Sequence, residues 1–113
     1  MDVEATVISW LSEHLDCPVA GAAPRPIPDR LVTVERTGGP EESIVLDRAA
    51  LAVQAWGRTL EGASALATEA RAALRGMDEL DGVVSVDIGG TYRFPAEDGR
   101  PRYQVAAEVT CYL

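Results

Sequence analysis

One histidine (His14), two cysteines (Cys17 and Cys111), one well-placed serine (Ser64) and a few carboxylates are the side chains that could carry chemistry in this chain. Covalent catalysis needs a nucleophile held against a base that is itself oriented. Ser64, in Gly62-Ala63-Ser64-Ala65-Leu66, lacks the second glycine of a nucleophile elbow and falls in a helical pattern, where that tight turn cannot form. His14 reads as a partly exposed residue on a helix flank. His14-Leu15-Asp16-Cys17, with Cys111 far off in sequence, falls short of the four ligands and supporting shell of a closed zinc site. The cysteines make neither a CxxC pair nor a disulfide framework and read as reduced, small core residues.

The remaining polar candidates are equally plain. Gly38-Gly39 and Gly89-Gly90 lack the lysine and the strand-to-helix setting of a phosphate cradle, and read as turn or bulge glycines. Asp78, Glu79 and Asp81, and Glu41-Glu42, sit in hydrophilic turns as solvated charges. No catalytic set can be assembled, so the residues predict a protein that is not an enzyme and holds no cofactor or metal.

What is left is a surface for interaction. Arginine and aromatic residues are enriched at interface hot spots, and acidic residues are depleted there. Tyr92-Arg93-Phe94 with Arg100, Arg102 and Tyr103 brings three of the chain's six Phe, Trp and Tyr residues to one place. Either these rings form a contact or they fold onto the sheet edge. Trp56 has the same two readings, core or contact.

Charge narrows the partners. Eighteen Asp and Glu face ten basic residues for a net charge of −8, and every basic residue is arginine. The chain has neither Lys nor Asn, a pattern that fits a GC-rich genome. Arginine forks suit interface pairing better than lysine point charges. A net-negative domain without a basic cluster is a poor candidate for gripping phosphates, so groove binding of nucleic acid is not expected. The start, Met1-Asp2-Val3-Glu4, is acidic where a signal peptide would be basic, and no apolar run approaches the roughly 20 residues of a membrane span. No membrane partner is expected, and thiols should stay reduced.

The elements that must position these groups follow from periodicity. With 113 residues, 47% apolar and 25% charged, the chain is expected to form one domain over residues 1–113. Val3, Val7, Ile8, Leu11 and Leu15 make a helical stripe capped by Asp2 and ended by Pro18. Ala20 to Asp29 holds three alternating prolines and predicts a stiff, polyproline-like connector. Leu31–Arg36 predicts a strand, Thr37-Gly38-Gly39-Pro40 a turn and Ser43–Asp47 its hairpin partner. Asp47-Arg48 interrupts the pattern before a third strand, Leu51–Trp56. Thr59 caps a second helix whose Ala63, Leu66, Ala67, Ala70 and Leu74 line one face until Gly76. Its alanine face predicts close approach to a sheet.

Val84, Val86, Ile88, Gly90, Tyr92 and Phe94 share one parity, and Tyr103, Val105, Ala107, Val109, Cys111 and Leu113 another. They predict a closing hairpin with arms of roughly 35 Å at ~3.3 Å per residue, beside a radius of gyration of only about 13 Å for such a domain. The end with Tyr92, Arg93, Phe94, Arg100 and Arg102 is then expected to project beyond the body. In the other reading Gly89-Gly90 ends the strand and a loop follows. The result is an α+β fold, order α-β-β-β-α-β-β, with two helices packed on a mostly antiparallel sheet of about five strands. Ala106 and Tyr112 beside Gln104, Glu108 and Thr110 give the second sheet face a mixed, contact-like character.

This ordered set resembles a known family. An amphipathic first helix, a Pro-rich connector before Val34-Glu-Arg-Thr-Gly-Gly39, Asp47-Arg48-Ala49 leading to Leu51-Ala-Val-Gln-Ala-Trp56, the helix Ala63-x-x-Leu66-Ala67-x-x-Ala70-Arg71-x-x-Leu74 and a long closing hairpin are similar to the tail terminator (tail completion) proteins of long-tailed bacteriophages. The resemblance implies a virion protein, assembled in the host bacterial cytoplasm, that forms a ring, usually a hexamer, on the finished tail tube. Such a ring ends tube polymerisation and joins the tail to the head connector or stopper. It implies as partners further copies of the chain, the tail tube protein and the connector, with DNA passing through the lumen without specific binding. Subunit or tube contacts would then fall at Arg36, Gly38, Gly39, Trp56, Tyr92, Arg93, Phe94, Arg100 and Arg102. A head-tail connector or stopper, and a small-molecule-binding α+β domain, are the alternatives.

Overall fold

Two helices cover one face of a single five-stranded sheet, because the apolar residues of both helices and of every second strand position need the same shelter from water. The computed structural model describes residues 2–39 and 45–113. Helix α1 (Val3–His14) starts where the Asp2 side chain accepts from the Ala5 N–H, and α2 (Leu60–Arg75) starts where Thr59 accepts from Gly62. The strands are β1 (Val19–Ala20), β2 (Leu31–Gly38), β3 (Leu46–Trp56), β4 (Val83–Arg93) and β5 (Arg102–Tyr112), in sheet order β1-β2-β3-β5-β4. Only β1 and β2 run parallel among these pairings. The order α-β-β-β-α-β-β is as the sequence predicts.

The main core joins Val3, Val7 and Leu11 of α1 and Leu66, Ala67, Ala70 and Leu74 of α2 to Val32, Val34, Leu51, Val53, Val105, Ala107 and Val109 of the sheet. Residues of the other parity form the second face. Thr33, Gln54, Gln104 and Tyr92 lie in one cross-strand row there.

Several local expectations change. Asp47-Arg48 does not separate two strands: Leu46–Trp56 is one strand of 11 residues. The polar pair is accommodated because alternate residues of a pleated strand face opposite sides, and each finds a partner there. Asp47 meets Arg36 at 2.8 Å, and Arg48 approaches Glu108 at 3.9 Å. The strand expected at Ser43–Asp47 is therefore the start of β3 where it is described; Pro40, Glu41, Glu42, Ser43 and Ile44 lie outside the described residues. The missing strand of the count is β1, whose Val19 and Ala20 pair with Val32 and Thr33. Ala20 thus belongs to a strand, and the connector after it bends back toward Leu31 instead of running straight.

The closing hairpin also departs from a simple alternation. Register shifts at Val83/Ser85 and Ile88/Thr91 insert extra residues, and each insertion swaps the face that later residues occupy. Val83, Val86 and Ile88 pack toward the helices, whereas Tyr92 ends on the second face opposite Gln104. Gly89-Gly90 forms the second bulge, and the strand continues to Arg93. The hairpin end does not project. β3 pairs with β5 from Leu46↔Tyr112 to Trp56↔Arg102, and the molecule extends 42 × 25 × 24 Å with a radius of gyration of 13.6 Å. A strand as long as the hairpin arm gives the arm a backbone partner along its length.

Gly39 takes φ +93°, and a Cβ there would lie 2.2 Å from the Arg48 carbonyl oxygen, whereas a Cβ on Gly38 meets nothing within 4 Å. Gly39→Ala is expected to cost about 1–3 kcal/mol, the range for forcing a side chain into such a conformation. Gly38→Ala should stay within about 0.5 kcal/mol. Denaturant midpoints of the two variants check the contrast.

Candidate functional site

The expected contact residues divide between the two ends of the sheet. Arg36, Gly38 and Gly39 lie at one end; Trp56, Tyr92, Phe94, Arg100 and Arg102 lie at the other. Arg36 and the Leu31 that pairs with Trp56 are five residues apart on β2, or roughly 17 Å at ~3.3 Å each.

At the first end Arg36 is a clamp within the chain. Its two terminal nitrogens donate to both Asp47 carboxylate oxygens at 2.9 and 2.8 Å, and two further donors reach the Gly38 and Gly39 carbonyls at 3.1 and 2.8 Å. Its backbone N–H donates to Glu4 at 3.0 Å. The fork matches a carboxylate bidentately, and four of the five guanidinium N–H donors are committed within the chain. The Arg36 hydrogen bonds hold the Asp47 carboxyl below its usual range, against a desolvation that would raise it. A lowered folded-state value means stability that is full above the ordinary aspartate value, about 3.9, and lost as pH falls through the folded one. Asp47→Asn should lower stability at neutral pH by about 1–3 kcal/mol and flatten the acid limb of a stability-against-pH curve, read by urea midpoints.

The second end holds a small core of its own on the helix-free face. Leu31, Trp56 and Ala96 are buried together, with Ala23 and Ile27 of the connector packed on them. Trp56 is only 8% exposed, so its core reading is the one the structure supports. Arg102 lies over two rings, 4.8 Å from the Trp56 centroid and 5.1 Å from that of Phe94, and its Nε donates to the Phe94 carbonyl at 2.8 Å. Burial draws the Arg102 guanidinium down from its ordinary value, while Asp98, Glu35 and Glu97 act the other way. Arg100 pairs with Asp98 at 3.2 Å and reaches the Ile27 carbonyl at 3.4 Å.

Tyr92 and Phe94 are 43% and 44% exposed and meet edge to face, centroids 6.3 Å apart. A concavity of about 470 Å³ opens beside them, lined in part by Ile27, Glu35, Gln54, Trp56, Glu97 and Arg102. A directional chain of hydrogen bonds passes through two of its lining residues, Trp56 and Gln54. Trp56 Nε1 donates to Thr33 Oγ1 at 3.0 Å, Thr33 Oγ1 to Gln54 Oε1 at 2.9 Å, Gln54 Nε2 to Gln104 Oε1 at 3.0 Å, and Gln104 Nε2 to the Tyr92 hydroxyl at 2.6 Å. Such a network fixes side-chain orientation over four strands. Thr33 and Gln54 were not among the expected site residues; Gln54 shares the parity of Trp56 on one strand, which was an available signal, whereas Thr33 joins them only through the pairing of β2 with β3. Arg93 points to neither cluster: regular alternation after Thr91 puts it on the helix face.

The groups that could do chemistry stay apart. His14 stacks on Trp10 at 3.9 Å and donates from Nδ1 to the Trp10 carbonyl at 2.8 Å. Ser64 sits in α2. Burial pushes both the Cys17 and Cys111 thiols up, away from the reactive thiolate. Among the described residues no three His, Cys, Asp or Glu side chains gather as a metal site, and no helix is long and apolar enough to cross a membrane. The arrangement can present a rigid surface and a shallow aromatic concavity. No protein-family model matches the chain, and no curated protein matches it closely enough to be a relative.

Proposed function

We propose that this chain is a structural subunit that forms a ring, in the manner of phage tail terminators, which caps a tail tube, ends its polymerisation and offers the joining surface to the head connector. The observation that carries this reading is the asymmetric covering of the sheet. Both helices contribute to one core, while among the described residues the opposite face is covered by the connector and Ala96 at one end and elsewhere displays small and polar residues such as Ala50, Ala106, Gln104 and Glu108. Subunit contacts use mixed surfaces of this kind. The net charge of −8 suits a lumen that DNA traverses without sticking, because adhesion is built from neutralised phosphates.

The concavity beside Trp56 and Phe94 favours a second reading, a small-molecule-binding domain. One experiment separates them. Adding the chain to polymerising tube subunits should halt growth at a fixed length, with light scattering giving the mass of a multimer. A strict monomer that leaves tube length unchanged and gains thermal stability from a metabolite supports the small-molecule reading. A multimer that binds connector but leaves tubes growing supports a stopper.

A further inference from the structure

The connector from Ala22 to Arg30 crosses the helix-free face of the sheet with little to hold its backbone. Among the described residues, no backbone N–H or carbonyl of this segment bonds to another backbone group. Pro24, Pro26 and Pro28 have no N–H to satisfy, so the segment can lie on the surface without a ladder. Its polar contacts are long. Arg100 Nη1 is 3.4 Å from the Ile27 carbonyl oxygen, and Asp29 stands 3.9 Å from Arg58, both side chains being mostly exposed. Solvated pairs of this kind contribute little. What keeps the middle of the segment down is the packing of Ala23 and Ile27 on Leu31, Trp56 and Ala96.

Its two ends, by contrast, are anchored and close together. Ala20 pairs with Thr33 of β2, and Leu31, where the chain returns, is two residues from Thr33 on that strand, roughly 7 Å at ~3.3 Å per residue. Arg30 is tied to Asp16 and, at 2.8 Å, to Glu69 of α2. A surface segment with neighbouring ends and a body packed by its own side chains has the form of an Ω-loop, and it can lift as a unit without pulling on the sheet. Hollows adjoin it along its length. One of about 250 Å³ is lined in part by Ile27, Pro28 and Arg100, and another of about 390 Å³ by Ala22, Ala23 and Thr33. Trp56 borders both of these and the concavity that holds Arg102.

We propose that Ala22–Arg30 is a strap that opens over Trp56 while the helices and the sheet stay folded, and that its opening joins these hollows into one trough floored by the indole. Closed, the strap holds Trp56 at 8% exposure and shields the bond from its Nε1 to Thr33 at 3.0 Å. Thr33 is itself buried and lines the hollow that Ala22 and Ala23 border, so lifting the strap brings water to that bond. Local openings occur in segments with few buried apolar contacts, at free energies below that of global unfolding. The device is independent of the ring-forming reading, because it acts on this face whether the face meets another subunit or a small molecule.

Hydrogen exchange of the folded full chain, followed by NMR, tests the strap at two indoles and one amide. The Trp56 Nε1–H lies under the strap. The Trp10 Nε1–H, bonded to the Ala73 carbonyl at 2.7 Å, and the amide of Val53, paired within the sheet, do not. The Trp56 indole should be protected about tenfold less than the Val53 amide. Low urea should leave its rate almost unchanged while the Val53 rate climbs, because only global unfolding exposes a large area. Ile27→Ala should speed exchange at Trp56 by about tenfold and leave Trp10 and Val53 as they were. Ile27→Val, which removes less packing, should give a smaller acceleration at the same place. Equal protection and equal urea dependence of Trp56 and Val53 overturn the proposal, since the strap then opens only when the whole chain unfolds. An Ile27→Ala variant that leaves Trp56 exchange unchanged, or that speeds all three protons alike, overturns it as well.

Discussion

Trp56→Ala is expected to cost about 3–5 kcal/mol, the range for emptying a buried aromatic site, although the residue lies outside the main core. Its indole supports three things at once. It fills the cluster with Leu31 and Ala96, it starts the hydrogen-bond chain at Thr33, and it lies under Arg102 at 4.8 Å. Removing it leaves Thr33 without that donor and Arg102 with a partly buried charge and one ring fewer. Trp56→Phe keeps much of the volume, giving up the indole N–H bond to Thr33, about 1 kcal/mol, and the volume of the second ring. The cluster is separated from the helices by the sheet, so the loss should be local in its dynamics: amide protection should fall first in the connector and at Ala96 and Gly99, whose N–H groups bond across the hairpin end. A denaturant midpoint within about 1 kcal/mol of wild type for Trp56→Ala would show that the connector and hairpin end hold without it.

Leu66→Ala and Ala67→Leu should both destabilise, by about 2–5 and about 1–3 kcal/mol respectively. The two positions are adjacent on α2, 1% and 0% exposed, and the substitutions change volume in opposite directions. Leu66 fills the space between α2 and the strands, so its loss leaves a cavity that a regular helix cannot collapse. Ala63, Ala67 and Ala70 are also fully buried, and their small side chains let the helix lie close to the sheet. A leucine at 67 must displace the helix or adopt a poor rotamer. Gly57 sets the same limit from the strand side, since a Cβ there would lie 2.6 Å from the Ala63 backbone nitrogen. Thermal unfolding of both variants checks the pair. An Ala67→Leu variant as stable as wild type would mean that the helix can move off the sheet at no cost.

Both helices were legible in the sequence because their signals are local. The spacing of Val3, Val7 and Leu11, the caps at Asp2 and Thr59, and the stop at Gly76 act within a turn or two of chain and need no distant partner. The count of five strands matches the sequence reading, but its members differ: Asp47-Arg48 lies inside β3, and β1, only two residues long, carries no alternation to read. The site was legible only in part. Tyr92, Phe94, Trp56, Arg100 and Arg102 do come together, but Arg36 belongs to a clamp at the far end of the sheet. The pairing of each arginine carried no local signal at all, because an arginine beside an alanine stripe looks the same whether or not a carboxylate waits across the fold.

Composition and periodicity by themselves determined that this chain buries one helix-covered sheet face, carries strong net negative charge and lacks an obvious catalytic grouping. Tertiary structure decided which arginines meet a carboxylate within the chain, as Arg36 meets Asp47. It also decided that β3 runs through Asp47-Arg48, and that the bulge at Gly89-Gly90 turns Tyr92 away from the face that Val86 and Ile88 share. The physical reason is the same in each case. A register shift of one residue exchanges the faces of a strand, and a charge is satisfied or left over according to what the fold brings within about 4 Å of it. Both depend on pairings between segments tens of residues apart, which short-range patterns do not encode.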